Sequence, residues 1–107
     1  INSDLFVVEN KKGQWGILSL QNEKPLVEFG KYRYLWGFDD GLCLFDVETP
    51  NTSTFSNRGI LNSRGEEIVR PYTYTNIYSF YGKRQKTIRV ELDNKVIRIN
   101  KRILPPF

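Results

Sequence analysis

A chain of 107 residues, 39% hydrophobic and 14% aromatic, is long enough for one domain that buries about two thirds of its unfolded surface without a disulfide or metal staple. That composition excludes a disordered chain, and with no His and one Cys it lacks both the usual near-neutral general base and an intramolecular disulfide. The net charge of +4 is unevenly spread: residues 1–53 carry five Lys/Arg against eight Asp/Glu, a net −3, and residues 54–107 carry eleven against four, a net +7. Halves so unlike can steer an anionic partner to one end or let copies associate head to tail.

Leu5-Phe6-Val7-Val8-Glu9 reads as a strand, and Asn10-Lys11-Lys12-Gly13 as the turn that sends it back through Gln14–Leu20. After the polar Gln21-Asn22-Glu23-Lys24, the segment Pro25–Phe29 reads as another extended run, broken by Gly30-Lys31. Tyr32, Tyr34, Trp36 and Phe38 alternate with other residues, which predicts a half-buried strand with those aromatics on its core face. Asp39-Asp40-Gly41 turns into Leu42–Val47, whose Cys43 lies in an apolar run and reads as a small buried hydrophobe. The stretch Glu48–Asn57 is the longest connection.

Arg58–Asn62 restarts the pattern, Ser63–Glu66 turns, and Glu67–Tyr72 runs out again, with Tyr72, Tyr74, Tyr78 and Phe80 assigned to one face. Tyr81–Gln85 forms a basic turn, and Thr87–Leu92 and Lys95–Asn100 flank Asp93-Asn94, a pair that tolerates the positive φ of a two-residue hairpin loop. Ile103–Phe107 closes the chain. No segment has a convincing helical period, and no apolar run approaches the ~20 residues of a membrane-spanning helix. The compartment stays open: the chain begins at Ile1 without a signal-peptide pattern, and either a cytoplasmic protein or an exported one with its leader removed fits.

The pattern repeats. Gly16 to Gly59 is 43 residues, and the pairs Val8-Glu9, Val47-Glu48 and Val90-Glu91 step by 39 and then 43. A period near 40 implies about four strands per unit, each unable to bury its apolar face alone. Gly13-Gln14-Trp15-Gly16-Ile17-Leu18, Phe38-Asp39-Asp40-Gly41-Leu42, Ile68-Val69-Arg70-Pro71-Tyr72 and Phe80 followed by Gly82 resemble the WG-repeat family, whose units run from a Trp-Gly strand through a Pro-x-Tyr segment to Phe-x-x-Gly and a valine-rich strand. The second copy has Arg58 where the Trp belongs, and the third keeps mainly Ile103–Phe107. The resemblance implies a β-repeat architecture, no catalytic residues, and the interaction role attributed to a family that is often bacterial and largely uncharacterised.

The expected fold is therefore an all-β antiparallel meander of nine or ten strands, a single domain over 1–107 with copies near 5–48, 49–92 and a partial 93–107. Barrel-like, solenoid and propeller-like closure all fit. Trp15 reads as core beside a glycine that lets a strand approach closely. Asp39-Asp40 and Glu66-Glu67 read as solvated turn charges; no cofactor or metal set is expected, and the chain does not read as an enzyme. If Asp93-Asn94 is a two-residue loop, Arg89 opposes Arg98, while Ile88, Val90, Ile97 and Ile99 take the core face. Lys83, Arg84, Lys86, Arg89 and Arg98 are then candidates for an anion- or partner-attracting surface. Asn51, Phe55 and Arg58 are candidates for a specificity loop. The expected function is a non-catalytic protein-interaction or scaffold module, part of a larger repeat protein or complex, whose partner is another protein, neighbouring repeats or a second copy. The alternative is a binding domain for a polyanion, nucleic acid or glycan on the basic, aromatic C-terminal half.

Overall fold

Short apolar runs separated by Gly, Asn and Asp turns fold as hairpins because each strand must find its backbone partners in the next one. The computed structural model describes residues 5–48, 54–82 and 86–101. Nine strands lie among them: β1 (Leu5–Glu9), β2 (Trp15–Ser19), β3 (Tyr34–Asp39), β4 (Leu42–Asp46), β5 (Arg58–Leu61), β6 (Glu67–Val69), β7 (Asn76–Ile77), β8 (Thr87–Leu92) and β9 (Lys95–Asn100). They form three antiparallel sheets, β1-β2, β3-β4-β5-β6 and β7-β8-β9. The all-β, antiparallel class expected from the sequence is the observed one.

The turns show why. Between β1 and β2, the Asn10 side chain accepts from the backbone N–H groups of Lys12 (2.9 Å) and Gln14 (3.0 Å), and the Asn10 and Gly13 amides close the loop. Between β5 and β6, Asn62 accepts from Arg64 (2.9 Å) and Glu66 (3.0 Å) in the same way. Gly13 and Gly65 take the left-handed φ of +79° and +80° that this loop requires. Asp93-Asn94 does form a two-residue loop, with φ of 52° and 62°, and Asp40-Gly41 forms its counterpart between β3 and β4 with φ of 58° and 76°.

The middle sheet is apolar on both faces. Along β4, Cys43 and Phe45 point into one core with Ile17, Val27, Tyr32, Leu35 and Leu61, while Leu42 and Leu44 point into another with Ile60, Val69, Ile77, Phe80, Ile88 and Val90. The run Leu42–Phe45 is uniformly hydrophobic for that reason: alternate residues meet the β1-β2 layer and the β7-β9 layer. Backbone approach is closest at two glycines. A Cβ at Gly59 would overlap the Phe45 ring and stand 2.6 Å from the Val69 carbonyl oxygen, and one at Gly16 would stand 3.0 Å from the Val27 oxygen and 3.1 Å from the Phe29 ring.

Four expectations change. The aromatic series from Tyr32 to Phe38 does not share a core face: Tyr32 and Leu35 are buried, whereas Tyr34 and Trp36 are each 39% exposed. The ladder between β3 and β4 shifts register between Leu35 and Phe38, where Gly37 takes φ +106°, so a period-two count fails across that point. Pro25–Phe29 contributes a single bridge, Ile17 to Val27, rather than a strand. Of Tyr72–Phe80, only Asn76–Ile77 is strand; Tyr72 takes φ +66°, which breaks any common face. Ile97 pairs with Val90 on the inward side yet stays 39% exposed on β9, the outermost strand of its sheet.

Candidate interaction surface

Two outward faces and one edge carry the side chains that folding leaves available. The first face belongs to β8 and β9. Arg89 pairs directly with Arg98, as the two-residue loop predicts, and both are exposed. The Arg89 guanidinium lies 4.1 Å from the Tyr78 ring centroid, a cation–π contact that sets its direction. Neither arginine makes an ion pair among the described residues. Lys86 is exposed immediately before β8, its carbonyl accepting from the Lys101 amide at 2.9 Å. Lys83 and Arg84 lie outside the described residues, as does Asn51 of the 48–57 connection.

Phe55 and Arg58, the other residues of that connection's group, part company. Phe55 is exposed. Arg58 is held on four sides: Nε donates to Asp46 at 3.2 Å, Nη1 donates to the Ile77 carbonyl at 3.0 Å, the guanidinium lies 4.6 Å from the Trp36 ring centroid, and the residue pairs with Asp46 in the sheet. It ties the middle sheet to the start of the third layer. The loop's C-terminal end is also pinned, since Ser56 donates to Tyr74 and accepts from Tyr72, each at 2.8 Å.

Arg58 backs an aromatic row that the alternation argument had assigned to the core. Trp15 meets Tyr34 at 4.8 Å and 66°, Tyr34 meets Trp36 at 5.6 Å and 87°, and Trp36 lies parallel to Tyr81 at 6.3 Å and 8°. The row runs from the β1-β2 layer across the β3 edge to the third layer. Trp15 is half-buried and packs against the first core. Tyr81 locks the far end: its hydroxyl donates to the Gly37 carbonyl at 2.6 Å and accepts from the Leu44 amide at 2.8 Å. Burial raises the Tyr81 phenol well above its ordinary range, and burial with a hydrogen bond to Glu67 does the same for Tyr32. Burial also pushes the Cys43 thiol up to about 11, so this cysteine is a packing group and not an activated nucleophile.

No family model, curated protein or solved structure matches this chain. What it can do therefore rests on its surfaces. Nothing in the sequence reading singled out the second outward face, that of β1-β2, where Phe6 and Leu18 oppose each other and remain 45% and 37% exposed. The signal was present in the alternation of Phe6-Val7-Val8 against Gly16-Ile17-Leu18: Val7 and Ile17 point into the core, so Phe6 and Leu18 point away from it. Among the described residues no helix is long and apolar enough to cross a membrane.

Proposed function

We propose that this chain is a non-catalytic interaction module built from WG-like units of about 40 residues, and that the outer face of β1-β2 is its docking face. The observation that carries the reading is Phe6 opposite Leu18 on that face. The middle sheet supplies the precedent: its glycine face, with Gly59 beneath Phe45, is covered by the first layer, and the corresponding face of β1-β2, with Gly16 beneath Phe29, carries apolar groups open to solvent. Like surroundings at Gly16 and Gly59, and the two Asn-anchored turns, support the repeat reading. The natural occupant is another β-layer, from a neighbouring unit or a protein partner, since apolar sheet faces pack on one another. A photo-crosslinking residue placed at Phe6 in the full-length protein, in its own cells, is expected to give a discrete adduct to one peptide. A diffuse smear or no adduct, from position 6 and from position 18 alike, overturns the reading.

A second reading has its own observation, the opposed and exposed Arg89 and Arg98. Each guanidinium repels the other, and a polyanion laid across β8 and β9 relieves that repulsion. Binding to heparin or single-stranded nucleic acid that falls steeply with salt, and falls further in Arg89→Ala/Arg98→Ala, is the expected signature. Equal binding by parent and double variant rules this reading out.

A further inference from the structure

We propose that the row Trp15, Tyr34 and Trp36 is a docking site for an extended, proline-rich segment of another protein, with a lysine or arginine of that segment set against Glu9. The proposal goes beyond the docking face above and does not depend on it. Isolated exposed aromatics are ordinary, but three contiguous rings on one edge form a patch. The ring angles choose the ligand. At 66° and 87°, Trp15, Tyr34 and Trp36 meet edge to face and do not make the coplanar platform that the flat face of a sugar or a base stacks on, and Tyr81, parallel to Trp36, is half-buried with its hydroxyl held by Gly37 and Leu44. A compact pyrrolidine ring packs against edge-to-face rings without needing such a platform.

Hydrogen bonding points the same way. A polyproline II strand makes no internal hydrogen bonds, so its carbonyl oxygens need outside donors. Neither indole N–H, of Trp15 or of Trp36, has an acceptor among the described residues. The site is also rigid before a ligand arrives: Tyr34 and Trp36 sit on a strand, and Arg58, fixed by Asp46 and the Ile77 carbonyl, braces Trp36 from behind. Little ordering entropy remains to oppose binding. Glu9, exposed and paired with Trp15 across the hairpin, stands at the near end of the row and meets a cation there.

Both tryptophans of the chain belong to the row, so intrinsic fluorescence reports on this site. Titrating the full chain with a synthetic proline-rich peptide bearing arginine is expected to give a saturable change in emission. Tyr34→Ala, at an exposed position, should weaken binding at least about tenfold with an unchanged melting transition, Glu9→Lys should weaken it selectively for the arginine-bearing peptide, and Phe6→Asp should leave it unaltered. A glycine-for-proline peptide that binds equally, a β-linked oligosaccharide that binds in place of the peptide, or no saturable change with any proline-rich peptide overturns the proposal. A Tyr34→Ala variant that binds as tightly as the parent does so too.

Discussion

The first and third layers both pack an inner face against the middle sheet and differ on the outside. β1-β2 turns Phe6 and Leu18 to solvent, whereas β8-β9 turns Arg89, Arg98 and the exposed Val96 outward, with Glu91 beside them. The inner faces are constrained by a middle sheet that is apolar on both sides; the outer faces are under no such demand, and one is apolar where the other carries opposed cations.

Substitutions at matched positions test that difference, and the glycines should show the largest effect. Gly59→Ala forces a methyl against Phe45 and the Val69 carbonyl on the flanking strands β4 and β6, and should cost about 3 kcal/mol in urea unfolding. Gly16→Ala meets the Val27 carbonyl oxygen at 3.0 Å and the partly buried Phe29 ring at 3.1 Å, both looser than the contacts at Gly59, and should cost about 1 kcal/mol. Equal costs would mean that the β1-β2 face is as constrained as the interior.

Next come the arginines. Arg58→Ala removes bonds to Asp46 and the Ile77 carbonyl together with the Trp36 contact, and should cost about 2 kcal/mol. The same change at exposed Arg89 should stay within about 0.5 kcal/mol. Chemical denaturation of both variants separates the brace from the surface cation.

A smaller effect depends on pH. The folded state holds the Cys43 proton until about pH 11, whereas an unfolded cysteine loses it near the ordinary value of 9.0. Across that window the unfolded state binds fewer protons, so stability must fall as pH rises, with a slope of at most about 1.4 kcal/mol per pH unit. Cys43→Ala should flatten the slope between pH 9 and 10, whatever its effect on overall stability, and a thiol reagent should label native Cys43 only as fast as the protein opens. The smallest change expected is a gain: Arg98→Thr relieves like-charge opposition and should stabilise the third layer by a few tenths of a kcal/mol in thermal melts.

Strand order and local pairing were legible in the sequence wherever a turn dictated the register. Asp93-Asn94 alone predicts that Arg89 faces Arg98, and the run Leu42–Phe45 marks a strand with no wet side. The aromatic row was not legible, because counting by twos from Tyr32 assumes an unbroken ladder and the shift between Leu35 and Phe38 breaks it. Arg58 looked like a lost tryptophan in a specificity loop, and its contacts with Asp46, Trp36 and Ile77 come from three separate segments that no local pattern joins. Two of the turns carry a common local signal. Asn10-Lys11-Lys12-Gly13-Gln14 and Asn62-Ser63-Arg64-Gly65-Glu66 share Asn-x-x-Gly followed by an amide or carboxylate, and both close the same loop.

The two-faced burial of β4 also sets how the molecule opens. An outer layer can fray while the other two stay packed, but the amides of Cys43, Leu44 and Phe45 lie between both cores and reach deuterium only when both separate at once. Those protons should be the last to exchange, and their rate should track the global unfolding free energy while the outer hairpins exchange earlier.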